Sequence, residues 1–241
     1  QDAVMSLYQS LRSRLPREQI FRAARAGRGA LIHTRSLDEA CDISNRIAPE
    51  HLEISAQNPQ RWEPLLRHAG AIFLGAFTSE SLDLLAANVQ RVQDKLARPI
   101  GVENISAYLA WADDTLAEAE FFNTLAARTG CWLLLDVNNL VVNALNANAA
   151  DPVAAANAFV DAVDARHVGE IHLAGYAETE SLVIDDHGSR VHAPVWQVYA
   201  HAIARLGAKP TLVEWDTALP AFDVLLGEAR EADLVAQRSL R

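Results

Sequence analysis

The chain reads as a parallel α/β protein, and three features of the sequence predict it. Short β-branched or apolar runs alternate with helix-period segments along its length. Helix start signals sit between those runs, and glycines stand where the helices should stop. With 241 residues, half of them apolar, the chain is long enough to bury one sizeable core.

Seven runs are predicted strands: Ala30–Thr34, Leu52–Ser55, Ala71–Leu74, Pro99–Glu103, Cys131–Asp136, Gly169–Leu173 and Pro210–Glu214. The first three start about twenty residues apart and the later ones about thirty to forty, the room a βα unit with a long loop needs. Between them, Ser36 with Glu39 forms a capping box, since the hydroxyl can accept from the third backbone N–H of the helix. Asn58-Pro59 and Asp151-Pro152 each place a cap before a proline at the first helical position. Gly130 and Gly207 mark helix ends. Leu82, Leu85, Val89, Val92 and Leu96 recur every three or four positions, predicting a helix over Ser81–Ala97 with that face buried.

Composition narrows the function classes. A net charge of −10 with no basic stretch argues against nucleic acid as a partner. Two cysteines, Cys41 and Cys131, build neither a disulfide framework nor a zinc knuckle, and they fit a reducing cytoplasm. No apolar run has the length to span a bilayer, so no membrane partner is expected either.

Residues 1–81 carry Leu15-Pro16-Arg17, Gly29-Ala30-Leu31-Ile32, Ser44 through Leu52 with its Pro49-Glu50-His51-Leu52 core, and Ala69 through Gly75 followed by Glu80-Ser81. This stretch resembles a fragment of histidinol dehydrogenase. The resemblance implies acid/base work for Glu50 and His51, but it also shows what is missing. The zinc ligands of that family lie outside the fragment, and Leu84 falls where an aspartate is needed, with Asp83 one residue off. No glycine-rich dinucleotide fingerprint follows a strand, so neither NAD nor dehydrogenase activity is expected. Glu50 and His51 are then a remnant pair leading into a strand.

From Leu82 onward the chain carries Arg91-Val92-Gln93-Asp94, Val102-Glu103-Asn104, Arg128-Thr129-Gly130-Cys131, Leu135-Asp136-Val137-Asn138-Asn139, Glu170-Ile171-His172-Leu173-Ala174-Gly175, Asp185-Asp186-His187-Gly188 and Glu214-Trp215-Asp216. This part resembles the second half of the multinuclear-iron family that includes the oxygenase subunit of methanobactin biosynthesis. The resemblance implies the last four βα units of a TIM-like barrel. It also implies carboxylate-bridged irons that activate oxygen to oxidise a peptidyl cysteine. Tyr176 departs from it, since that family usually has a histidine after Ala-Gly.

The residues point the same way by position alone. Glu103, Asp136, His172 and Glu214 lie at or near the C-terminal ends of successive predicted parallel strands, and such ends converge on one face of a barrel. Asp185 and His187 add an Asp-x-His pair from the loop after the third of them. Carboxylates and imidazoles without thiolates suit iron, zinc or manganese, and Asn139 is expected to support them from behind. With the family's early-strand ligands absent, partial occupancy is expected.

Two resemblances meeting at Thr78-Ser79-Glu80-Ser81-Leu82, a helix start with no linker, read as a recombined or engineered chimera. The expected fold is then a parallel, TIM-barrel-like α/β assembly, residues 82–241 being barrel half and residues 1–81 a Rossmann-like βαβαβ fragment in place of the early strands, the two forming one continuous domain. An open doubly wound sheet is the alternative. An incomplete barrel edge would be covered by a homodimer. The function expected from that reading is a chimera without evolved activity that keeps part of a metal site. The alternative is an iron-dependent oxidoreductase acting on a peptidyl cysteine.

Overall fold

The structure, a computed structural model, describes residues 32–49, 51–54, 61–68, 71–73, 79–108, 115–179 and 182–241. The chain divides into two compact units, residues 1–75 and residues 76–241.

In the first unit, helix α1 (Leu37–Ile47) starts where Ser36 accepts a hydrogen bond from the Glu39 backbone N–H at 3.2 Å. The Glu39 carboxylate in turn accepts from the Arg35 backbone N–H and guanidinium. Strands β1 (His51–Glu53) and β2 (Ala71–Phe73) pair in parallel, His51 opposite Ala71. Residues 32–34, the described part of the expected strand Ala30–Thr34, are irregular. Asn58-Pro59 lies outside the described residues.

The second unit begins with α2 (Ser79–Leu96), which runs without a break past Ser81. Its buried row is Leu82, Ala86, Val89 and Gln93. Val92 and Leu96, expected on that row, are 44% and 50% exposed: Val92 lies about a quarter-turn off the line of Val89 and Gln93, and Leu96 is the last residue of the helix. Gln93 takes the last place as a polar tie: its amide donates to the Thr129 carbonyl and accepts from the Ile100 N–H. Val89→Pro would remove a helix hydrogen bond at a residue only 3% exposed, costing about 3 kcal/mol or more. A thermal melt of that variant should show a much lower transition; an unchanged one would mean that the helix is not where it is drawn.

Four strands then form one parallel sheet in the order β3 (Gly101–Glu103), β4 (Trp132–Asp136), β5 (Val168–Leu173) and β8 (Thr211–Val213). Sequential strands that neighbour one another in parallel, with helices between, make a TIM-barrel-like α/β arrangement. No closed barrel forms among the described residues. Helices α3 (Glu118–Thr129), α4 (Val137–Asn146), α5 (Pro152–Ala162), α6 (Ala193–Leu206) and α7 (Phe222–Ser239) complete the unit. Gly130 ends α3 at φ 71°, a left-handed turn that L side chains rarely adopt. Asp151 caps α5 through the Ala154 N–H, with Pro152 at the first position, as the sequence predicts.

The alternation of β4 sorts its side chains. Leu133 and Leu135 are buried at 3% and 0% exposure, in a core with Val141, Val160, Ile171, Val195 and Ile203. Trp132, Leu134 and Asp136 fall on the opposite face. Trp132 occupies space that two glycines leave open. A β-carbon at Gly101 or at Gly169 would come within 2.6 Å of its indole. A short antiparallel pair, β6 (Ala177–Glu178) with β7 (Val183–Ile184), decorates the loop after β5. Two-residue strands are too short for an alternating pattern to reveal.

Candidate metal centre

The C-terminal ends of the parallel strands carry the site. Glu103 ends β3, Asp136 ends β4, His172 is the penultimate residue of β5, and Glu214 follows β8. In register, Asp136 stands opposite His172. These four residues each offer a ligand atom within 4.8 Å of the others. His172 Nδ1 lies 3.1 Å from Glu214 Oε2 and 4.0 Å from Glu103 Oε1.

The loop after β7 brings a second set. His187, Glu214 and Asp216 form another group within the same limit. His187 Nδ1 is 3.2 Å from Asp216 Oδ2 and 3.6 Å from Glu214 Oε2. Its Nε2 is 2.7 Å from Asp185 Oδ1 but off the line of a hydrogen bond, leaving that buried nitrogen without a hydrogen-bond partner. Glu214 belongs to both groups, so it stands where a carboxylate could bridge two cations. All six residues singled out in the sequence fall in this region. Asp216 was missed as a ligand candidate, although it lies two residues from Glu214 in a stretch already marked as a motif.

The framework behind these groups is built from asparagines. Asn104 donates to the Asp136 carbonyl and accepts from its N–H, both at 2.9 Å, tying the ends of β3 and β4 together. Asp136 caps α4 by accepting from the Asn139 N–H at 2.8 Å, and the Asn139 amide donates to the Asn104 carbonyl. Asn138 donates to Asp185 Oδ1 at 2.7 Å, and the Tyr108 hydroxyl accepts from the Asp185 N–H. Asn146 grips Val183 on both its N–H and its carbonyl. His187 itself sits at φ 47°, an uncommon conformation for a residue with a β-carbon. Its carbonyl accepts from the Asp216 N–H at 2.9 Å, which pins the two loops to each other.

The electrostatics are those of a site short of positive charge. Asp136 is fully buried and its Oδ2 has no hydrogen-bond partner. Burial, with Asp185 and Glu103 adding to it, pushes its pKa up to about 8 against the pull of the Asn139 N–H. Burial also raises Glu103. For His187 burial opposes the imidazolium, but Asp185, Asp136 and Glu214 outweigh it and raise the pKa to about 9. Glu214 is lowered by its hydrogen bond to His172. Asn138 Oδ1 and Asn139 Oδ1 are likewise buried without partners. Oxygen and imidazole donors with orphaned buried acceptors fit a hard or borderline divalent cation, and neither group includes a cysteine.

The earlier pair reads differently. Glu50 lies outside the described residues, and of His51 only the backbone, opening β1, is described. Asp83, beside the position where a dehydrogenase aspartate would fall, forms an ion pair with Arg128 at 2.7 Å, both side chains well exposed. Tyr176, where a histidine was expected, is buried and stacks on His192 at 3.9 Å between ring centres.

A TIM-barrel-like sheet whose strand ends converge on carboxylates and imidazoles defines a candidate metalloenzyme. A model of the MbnB/TglH/ChrH family of RiPP precursor modification enzymes matches residues 33–237, and the chain belongs to that family. A UPF0276 protein of Chromobacterium violaceum is 38% identical over 214 residues, covering 88% of this chain and 72% of its own length. Another, from Caulobacter vibrioides, is 38% identical over 232 residues, covering 90% and 80%. One from Acaryochloris marina is 42% identical over 157 residues, covering 65% of this chain and 55% of its own.

These matches overturn the reading of an engineered chimera without evolved activity. The family match begins at residue 33 and runs straight through Ser81, so it spans the place where two parents were expected to meet. Relatives aligned over about nine tenths of the chain say the same. The resemblance of residues 1–81 to histidinol dehydrogenase finds no support in these comparisons. No helix among the described residues is long and apolar enough to cross a membrane.

Proposed function

We propose that the protein is an iron-dependent oxidoreductase that modifies a cysteine of a ribosomally made precursor peptide. The observation that carries this reading is the convergence of Glu103, Asp136, His172 and Glu214 within 4.8 Å around a buried carboxylate oxygen that has no partner. Asp185, His187 and Asp216 extend the same face toward a second cation, with Glu214 shared. Family membership supports the peptide as substrate. Bound iron would supply the redox chemistry with oxygen. The chain's own residues would hold the cations, and a site built from four strand ends and two pinned loops would keep those ligands in place.

His187, whose pKa the neighbouring carboxylates raise to about 9 against its burial, must give up a proton to bind a cation, so metal loading should release protons. The test is elemental analysis after anaerobic reconstitution with iron(II), followed by mass spectrometry of cysteine-containing precursor peptides exposed to oxygen. The parent should hold iron and change the mass of a peptide at cysteine. Asp136→Ala and His172→Ala should lose most of the metal and all of the peptide chemistry. Equal metal in all three proteins would show that these residues form no site.

A further inference from the structure

We infer that Glu170, outside both ligand groups, is a positioning residue that holds the Nε2–H of His172 while Nδ1 turns to the metal. This rests on the proposed function, since it needs a cation at the site. Glu170 and His172 lie two apart on β5 and so share a face of the strand. The two nitrogens of the His172 ring look in different directions. Nδ1 faces Glu214 Oε2 at 3.1 Å and Glu103 Oε1 at 4.0 Å, both members of the candidate cluster. Nε2 faces Glu170 Oε1 at 3.6 Å, an ion-pair contact a little longer than a hydrogen bond. A cation shared with Glu103 and Glu214 would therefore be met by Nδ1.

A histidine bound through one nitrogen keeps its proton on the other, and a carboxylate accepting that proton fixes the ring's tautomer and plane. Glu170 stands opposite Leu134 of β4, one same-face position before the Asp136–His172 pair. It does not compete for the cation; it reaches the metal only through the ring.

The test uses the whole chain with cobalt(II) as the probe, its affinity read by competition with a chelating indicator and its coordination by the visible d–d spectrum. Glu170→Ala should weaken cobalt binding about ten- to a hundredfold and change the spectrum. Glu170→Gln, which loses the charge but keeps an oxygen acceptor, should stay close to the parent in both. In the zinc-loaded protein the low-field imidazole N–H resonance of His172 should be visible in the parent and in Glu170→Gln, and lost to solvent exchange in Glu170→Ala. Parental affinity in Glu170→Ala, or an equal loss in Glu170→Gln, would overturn the inference, the second because Glu170 would then act only as a charge. His172→Ala separates the two levels. If it too binds cobalt like the parent, the metal site itself fails; if it loses cobalt while Glu170→Ala does not, only the role of Glu170 fails.

Discussion

Metal-free protein carrying Asp136→Asn should be more stable than the metal-free parent at pH 8 and should bind no metal tightly. The reasoning runs through linkage. Asp136 has its folded pKa raised from 3.8 to about 8 by burial. Between those values the folded state keeps a proton that the unfolded state has lost, so stability falls as pH rises through the window. Each unit of such a shift is worth about 1.4 kcal/mol at most, and neighbouring charges share the cost. His187 adds the same trend for the opposite reason. Its folded pKa is raised to about 9, so its contribution is fully present below about 6.5 and is lost as pH climbs through 9. Asparagine keeps the oxygen that caps α4 through the Asn139 N–H and removes the titration. Melting temperature against pH, with chelator present, should slope downward in the parent from pH 5 to 9 and be flatter in Asp136→Asn. Adding metal should reverse the parent's slope, because cation and proton compete for the same atoms. A parent whose melting temperature ignores pH in chelator would show that burial does not raise the pKa of Asp136.

Gly175→Ala should both destabilise the protein and empty the site. The backbone at Gly175 is not in the left-handed region; the constraint is space. A β-carbon there would run into Ser189, its carbonyl and its hydroxyl alike, and would come 2.6 Å from the Arg190 carbonyl. Two of those atoms belong to backbone, so the segment must move as a whole. Overpacking of this kind costs about 1–3 kcal/mol. The same segment leads back to His187, whose carbonyl is pinned to Asp216. It also leads forward to Arg190 and Val191, which hold the buried Glu228 of α7. Iron content should fall with the melting temperature in Gly175→Ala, whereas Gly227→Ala, where a β-carbon meets nothing, should change neither. Full metal loading in Gly175→Ala would mean that the loop yields without disturbing the ligands.

Much of this was legible in the sequence, and what was not has physical causes. Strands β3, β4, β5 and β8 announce themselves as apolar runs, and the polar residue at the end of each is conspicuous against them. Residues such as Asp151 and Gly130 act within a few positions of themselves, so local chemistry finds them. The connection between loops is non-local. Asp216 counts as a ligand candidate only once His187, 29 residues earlier, is folded against it at 3.2 Å. Glu170 looks like an ordinary strand residue until the ring of His172 is seen to present a different nitrogen to each side. The expected burial of Val92 failed because periodicity tells which face is apolar, not how far the neighbouring strands and helices reach around it. The join read at Ser81 fails because likeness in short local motifs carries no information on continuity, whereas the family match begins at residue 33 and runs through that point.

The indole of Trp132, lying where Gly101 and Gly169 lack side chains, ties three strands into a single allotment of volume. No one of the three positions can change alone without loss: a methyl at either glycine strikes the ring, and a smaller residue at 132 leaves a hole beneath two bare backbones. Paired changes can cancel, a β-carbon on one strand filling what a trimmed ring gives up on the next. Adjacent strands are thereby bound by inheritance as well as by hydrogen bonds. In any lineage of this fold, the residue at the start of β4 should set which residues its neighbours on β3 and β5 can carry.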